Sequence, residues 1–110
     1  MTNIAVLVSG GGTNLQALID ASCAGKMPHV DICLVLSNRT DAYALKRAER
    51  SGIPSAVCQR EKGEAREAFE ARMLDILRAH DVEMLILAGF MAILSREFVQ
   101  NYPDRILNVH

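Results

Sequence analysis

The chain has 110 residues, the length of one domain with a modest hydrophobic core. Half of the residues are hydrophobic, 5% are aromatic and none is tryptophan, so the predicted core is mainly aliphatic. A formal net charge of -1 excludes a general electrostatic attraction to nucleic acids or to anionic membranes.

Apolar runs and helical stripes alternate along the chain. The predicted strands span residues 4–8, 31–36, 55–58, 84–87 and 105–109. Most of them are aliphatic, as is typical of parallel strands that are covered on both faces. Predicted helices span residues 14–22 and 65–80. A further helix follows a cap at Asp41 and ends before Gly52, and a short one follows a cap at Ser95 and ends before Pro103.

This alternation predicts an α/β fold in which residues 1–110 form a single domain with an open parallel, Rossmann-like sheet and helices on both faces. Ligands of such sheets bind at the carboxyl ends of the strands. Three glycine-rich or polar segments follow predicted strands there, namely residues 9–14, residues 89–94, and Asn108 with His110. We therefore expect the fold to bring these segments together in one site.

The first segment carries Gly10, Gly11 and Gly12 and leads directly into a predicted helix. Glycines leave no side chain between main-chain amides and a ligand, and the helix start directs unpaired N–H groups and a positive dipole to the same place. Thr13 and Asn14 can add a hydroxyl and an amide donor. The loop is therefore predicted to bind a phosphate, with a tight strand-to-helix turn as the alternative.

Two common phosphate-binding motifs do not fit this loop. The dinucleotide fingerprint would need a glycine at Leu15 and an acidic residue after the second strand, where Ser37, Asn38 and Arg39 stand. A Walker loop would need a lysine after the glycines. Because the loop is predicted to lie at the surface, we expect a valine at Gly12 to abolish ligand binding and to leave the fold largely intact.

Residues 89–94 place Phe90, Met91, Ile93 and Leu94 at a strand end, where polar residues are more usual. Such an apolar lip beside a phosphate site suggests a flat second ligand. The alternative is a turn that packs under the next helix.

Asn108 and His110 are two residues apart, so their side chains are predicted to share one face of the last strand. Asparagine is uncommon in strands, and an amide beside an imidazolium can stabilise negative charge that develops on a carbonyl oxygen. The alternative is a frayed chain end with two ordinary polar residues.

Cysteine usage and hydropathy favour a cytoplasmic protein. Cys23, Cys33 and Cys58 are odd in number and lack metal-ligand spacing, so we expect reduced thiols and no metal site. The apolar start is too short for a signal peptide and carries no basic flank. No apolar run approaches the roughly 20 residues of a membrane span.

The segments VLVSGGGTNLQALID, SNR, AERSGIP, LAGFMAILS and ILNVH resemble the phosphoribosylglycinamide formyltransferase family of purine biosynthesis. The similarity runs in order across all 110 residues and matches the amino-terminal half of that family. It implies transfer of a formyl group from 10-formyltetrahydrofolate, as co-substrate, to the amine of glycinamide ribonucleotide, without a metal or a covalent intermediate. The phosphate expected at the glycine loop is then that of the ribonucleotide.

Position by position, the resemblance implies three sets of site residues. The substrate phosphate would be held by Gly12, Thr13 and Asn14. Asn108 and a protonated His110 would be catalytic, stabilising the oxyanion that forms when the amine attacks the formyl carbon. An acidic group should then keep His110 charged at neutral pH. The folate-binding residues would be Arg66, Met91, Ala92, Ile93, Leu94 and Asn108.

Two departures from the family pattern bear on this assignment. Ala92 stands where the family usually has arginine, which a main-chain contact would survive and a side-chain contact would not. The family continues beyond the position of His110 and supplies an aspartate that completes the catalytic set. We therefore expect residues 1–110 alone to be catalytically silent, and to self-associate or pair with a carboxy-terminal half.

Two other functions stay open. One is a related folate enzyme that makes formyl-methionyl-tRNA or hydrolyses formylfolate, and the other is a non-catalytic nucleotide-binding module. The glycine loop favours the ribonucleotide enzyme, because the related folate enzymes do not need such a loop for a small nucleotide.

Overall fold

Five strands form one sheet within residues 1–109, the part of the chain that the computed structural model describes. The strands are β1 (Thr2–Val8), β2 (Val30–Ser37), β3 (Ser55–Val57), β4 (Met84–Ala88) and β5 (Ile106–Val109). They pair in parallel in the order β3-β2-β1-β4-β5. The predicted open parallel sheet is confirmed, and the predicted bounds of each strand are correct to within about two residues.

Helices cover both faces of this sheet. They are α1 (Thr13–Cys23), α2 (Ala44–Arg50), α3 (Arg66–Ala79) and the short α4 (Arg96–Val99). Leu15 of α1 and Ala44 of α2 belong to the core on one face. Phe69 of α3 and Phe98 of α4 belong to the core on the other face. The sheet is thus doubly wound, as the sequence predicts.

Strand β1 lies at the centre of the sheet and is buried on both sides. Ala5 and Leu7 pack towards α3 and α4, whereas Ile4, Val6 and Val8 pack towards α1 and α2. A continuous aliphatic run satisfies both faces at once, which is why the residues of β1 do not alternate between apolar and polar.

The pairing of β1 with β2 contains an irregularity that the apolar pattern does not reveal. Ile4 lies opposite Ile32, but Ala5 lies opposite Leu34, so Cys33 is an additional residue in β2. Cys33 and Leu34 consequently both pack towards α3 and α4. This local bulge breaks the alternation of side chains expected for a regular strand.

One of the two predicted helix caps is wrong. Tyr43, not Asp41, occupies the N-cap position of α2, and no side chain caps that helix. Asp41 instead forms an ion pair with Arg39 at 3.0 Å. The cap at Ser95 is confirmed, because its Oγ accepts a hydrogen bond from the N–H of Phe98. Among residues 1–109, no helix is long and apolar enough to cross a membrane.

Candidate functional site

The chain leaves the neighbouring strands β1 and β4 towards opposite faces of the sheet, which opens a crevice between their carboxyl ends. The segment after β1 contains the glycine loop, and the segment after β4 contains residues 89–94. The two segments touch, since the N–H of Met91 donates a hydrogen bond to Oγ of Ser9 at 2.7 Å. The predicted meeting is therefore confirmed for these two of the three segments.

The main chain of the glycine loop is oriented by α2. The carbonyl oxygen of Gly10 accepts a hydrogen bond from the N–H of Ala44 at 3.1 Å. The carbonyl oxygen of Gly11 accepts one from Nε of Arg47 at 2.7 Å. Because a trans peptide is planar, the N–H that follows each carbonyl points the opposite way. The amides of Gly11 and Gly12 are therefore directed away from α2.

These amides and the start of α1 form a concentration of hydrogen-bond donors. Within residues 1–109, no main-chain acceptor bonds to the N–H groups of Gly11, Gly12, Thr13 or Asn14. No side chain caps α1, and its first turn holds no acidic residue. The positive end of the helix dipole adds to the positive electrostatic potential of these donors. The loop can thus bind an anion without displacing a group of the protein.

Gly12 cannot be replaced without disturbing the fold. Its φ of 78° lies in the left-handed region, and a Cβ added there would lie 2.7 Å from Cβ and 2.9 Å from Cα of Ala44. The prediction that a valine at this position leaves the fold largely intact is therefore wrong. The loop is exposed on one side, but its other side is packed against α2.

A cavity of about 700 Å³ opens next to this crevice, at the carboxyl ends of β2, β3 and β4. It brings Arg66, at the start of α3, together with Met91, Ala92 and Ile93. Leu94 does not line it, because that side chain is half-buried against the core. The full lining is Asn38, Arg39, Thr40, Asp41, Gln59, Arg60, Arg66, Phe69, Met91, Ala92 and Ile93.

Positive charge predominates in the cavity wall, with three arginines against one aspartate. Arg39 makes two hydrogen bonds to Asp41, and these hold the pKa of that carboxyl below its usual range. Nε of Arg60 donates to the carbonyl oxygen of Glu64 at 2.9 Å. The side chain of Arg66 is exposed at the wall. An anionic group on a ligand would be attracted to this region.

The apolar residues that follow β4 divide into two groups. Met91 and Ile93 are 80% and 83% exposed at the cavity, which agrees with an apolar lip. Phe90 and Leu94 pack against the core beneath the loop, which agrees with the alternative of a packed turn. Both interpretations from the sequence therefore describe part of the segment.

Asn108 is exposed on β5, directly opposite Leu87 of β4. Ile106 packs on the α3 side of the sheet, so Asn108, two residues further along the strand, faces that side too. Asn108 is not part of the cavity wall. His110, the second residue of the predicted pair, lies outside the described residues.

The sequence did not predict that three polar side chains near the site, those of Ser9, Ser37 and Glu70, are buried. A signal existed for Glu70, which stands three residues before Met73 and seven before Leu77 and so falls on the apolar stripe of α3. A charged residue at such a position needs a partner.

Within residues 1–109, no group of three or more His, Cys, Asp or Glu side chains is arranged to hold a metal ion.

Comparison with known sequences identifies similar proteins. A family model described as formyl transferase matches residues 2–110. The phosphoribosylglycinamide formyltransferase of Haemophilus influenzae is 43% identical over 110 residues, covering 100% of this chain and 51% of that protein. The protein of the same name from Escherichia coli is 40% identical over 108 residues, covering 98% and 50%. This chain thus spans about half the length of these relatives.

Solved structures share the fold. Glycinamide ribonucleotide transformylase 1 from Symbiobacterium toebii has a TM-score of 0.92 and 39% identity, covering 100% of this chain and 51% of that one. A formyltetrahydrofolate deformylase from Pseudomonas putida has a TM-score of 0.88 at 23% identity, covering 99% and 38%. The second likeness concerns the fold alone.

Proposed function

The chain belongs to the formyl transferase family, and on that basis we propose that it binds the two substrates of formyl transfer to glycinamide ribonucleotide in purine biosynthesis. The proposed co-substrate, 10-formyltetrahydrofolate, supplies the formyl group. The observation that carries the proposal is the contact between Ser9 and Met91, which joins an anion-binding loop to a cavity with an apolar lip. A phosphate and a flat ring system can therefore lie side by side.

The phosphate of the ribonucleotide is proposed to bind at Gly12, Thr13 and Asn14. Their main-chain N–H groups lack main-chain acceptors within residues 1–109, and the guanidinium of Arg47 lies behind the loop. A dianionic phosphate gains charge-assisted hydrogen bonds there. An uncharged sugar hydroxyl would gain much less, so the loop selects for the phosphorylated substrate.

The folate is proposed to bind in the cavity beside residues 91–93. The cavity volume of about 700 Å³ suits a ligand of that size. The exposed side chains of Met91 and Ile93 can cover an apolar ring, and Arg66 can meet a carboxylate of the folate. Ala92 offers its main chain but no long side chain, and Leu94 supports the segment from the core side.

Catalysis is assigned to Asn108 and His110. The amine of the ribonucleotide attacks the formyl carbon as a neutral nucleophile, the bond between that carbon and N10 of the folate then breaks, and N10 takes up the proton that the amine loses. The side-chain N–H of Asn108 and a protonated His110 donate hydrogen bonds to the formyl oxygen as it gains negative charge. Asn108 also belongs to the proposed folate-binding set, because the group it stabilises is carried by the folate.

The relatives are about twice as long as this chain. We propose that residues 1–110 form the nucleotide-binding domain of such an enzyme and that formyl transfer also requires the segment of the relatives that these residues do not span. All three cysteines are free, and we expect the protein to act in the cytoplasm.

The test is a pair of calorimetric titrations of the 110-residue chain, one with glycinamide ribonucleotide and one with 5-formyltetrahydrofolate as a stable folate. Both should bind, and glycinamide ribonucleoside, which lacks the phosphate, should bind more weakly than the ribonucleotide. The matched variant is Gly11→Ala, because a Cβ there meets no atom within 4 Å and the fold is preserved. It should lose affinity only for the ribonucleotide.

Activity assays separate the remaining alternatives. Formyl transfer should be absent with the chain alone and should appear when the remaining part of the Haemophilus influenzae relative is added. Release of formate without the ribonucleotide would favour a formylfolate hydrolase. Equal affinity for ribonucleotide and ribonucleoside would refute the phosphate assignment.

A further inference from the structure

The buried polar side chains within residues 1–109 are Ser9, Ser37 and Glu70, which are 3%, 0% and 5% exposed. Burying a polar group costs free energy unless it is hydrogen-bonded. The partners of these side chains therefore indicate what each one stabilises. Ser37 bonds only to the main chain of Arg39 in its own turn, whereas Ser9 and Glu70 bond to distant segments.

Glu70 of α3 holds Ser95, the last residue of the segment 91–95, which lies between β4 and α4. Its carboxylate accepts a hydrogen bond from the N–H of Ser95 at 2.8 Å and another from Oγ of Ser95 at 2.5 Å. Oγ of Ser95 in turn accepts from the N–H of Phe98 at 3.1 Å and caps α4. Hydrogen bonds to a charged acceptor are stronger than those between neutral groups, so this end of the segment is firmly fixed.

Ser9 holds the residue at which the segment begins. Its hydroxyl donates its one proton to Oδ1 of Asn38 at 2.6 Å and accepts from the N–H of Met91 at 2.7 Å. Asn38 and Met91 both line the cavity. One buried hydroxyl therefore ties the end of β1 to two parts of the cavity wall.

Packing alone does not determine the path of the chain between these two points. Met91 and Ile93 are exposed, and residue 92 is an alanine with no long side chain to act as an anchor. Phe90 and Leu94 pack against the core, but they leave residues 91–93 spanning the distance between them. The orientation of these peptides therefore depends on the hydrogen bonds at both ends.

We propose that Ser9 and Glu70 are positioning residues that hold the main chain of residues 91–95 in the shape that receives the folate. This inference rests on the proposed folate site. A ligand bound through main-chain groups is sensitive to small rotations of the peptides. Ser9 and Glu70 thus control folate affinity without lining the cavity.

The experiment compares Glu70→Gln and Ser9→Ala with the control Ser37→Ala. Amide hydrogen exchange of residues 91–95 is measured in the ligand-free chain, and titrations with 5-formyltetrahydrofolate and glycinamide ribonucleotide are made well below each unfolding temperature. Glu70→Gln is almost isosteric and lies far along the chain from the glycine loop. We expect faster exchange and roughly tenfold weaker folate binding for both test variants, with ribonucleotide affinity retained in Glu70→Gln.

The control should leave exchange at 91–95 unchanged, and Glu70→Asp, which keeps the carboxylate, should restore part of the folate affinity. Unchanged exchange in both test variants would overturn the positioning role, as would an equal loss of affinity for both ligands in Glu70→Gln. Should Ser9→Ala fail to fold, the Glu70 variants decide the question. If the unsubstituted chain binds no 5-formyltetrahydrofolate, the proposed function fails, and the exchange data still decide whether these residues hold the segment.

Discussion

A methyl group added at Gly12 would test how closely the phosphate loop packs on α2. The new Cβ would lie 2.7 Å from Cβ of Ala44 and 3.2 Å from Cδ of Arg47, and the φ of +78° disfavours any residue with a Cβ. Overpacking costs about 1–3 kcal/mol and a left-handed conformation about 1–2 kcal/mol. Gly12→Ala should therefore lower the free energy of unfolding by about 2–5 kcal/mol, a large part of a typical total.

Two other glycines distinguish the cost of overpacking from the cost of the left-handed conformation. Gly25 has a φ of +76° with nothing within 4 Å of an added Cβ, so Gly25→Ala should cost only the conformational strain, about 1–2 kcal/mol. Gly11 has open space and no positive φ, so Gly11→Ala should change stability by less than about 0.5 kcal/mol. Gly11→Ala should nevertheless weaken ribonucleotide binding, because a side chain on the glycine loop hinders close approach of a phosphate to the main-chain amides.

Urea unfolding with linear extrapolation measures all three variants on one scale. Ala44→Gly removes one of the two closest contacts of the new methyl group, so it should relieve part of the cost in the double variant. If Gly12→Ala costs no more than Gly25→Ala, the close packing of α2 on the loop does not contribute to stability and the reasoning fails.

Three charged residues provide further tests. Arg47→Gln removes a positive charge behind the glycine loop, so binding of the ribonucleotide should weaken by about 1 kcal/mol relative to the ribonucleoside; an unchanged ratio of dissociation constants would contradict this. Arg66→Ala should weaken binding of 5-formyltetrahydrofolate by about 1–3 kcal/mol in calorimetry, and unaltered affinity would mean that Arg66 makes no contact. Hydrogen bonds from Arg72, together with a weaker contribution from the N–H of Glu61, lower the pKa of Glu64 from 4.5 to about 2. Their stabilising effect is therefore complete above about pH 4.5 and is lost as the pH falls towards about 2, so Glu64→Gln should flatten the pH dependence of the unfolding free energy there. Equal slopes for both proteins would refute the role of this ion pair.

Local patterns of the sequence were sufficient to predict the architecture of the sheet and its helices. Each strand after the first is reached by a crossover that contains a helix, and a chain that alternates in this way forms a parallel sheet with helices on both faces. The aliphatic run of β1 and the cap at Ser95 could be identified because hydropathy and capping depend on residues a few positions apart. The same holds for the start of α1 after the glycines.

Other features depend on partners that are remote in the chain, and only the tertiary structure decided them. Ser9 and Met91 are 82 residues apart, and Glu70 and Ser95 are 25 apart, so no periodic pattern links them. The requirement for glycine at position 12 comes from Ala44 on another helix, which is why surface exposure alone predicted the wrong outcome for a substitution there. Sequence periodicity indicates which side chains are buried. The hydrogen-bond partner of a buried polar group depends instead on how distant segments pack together.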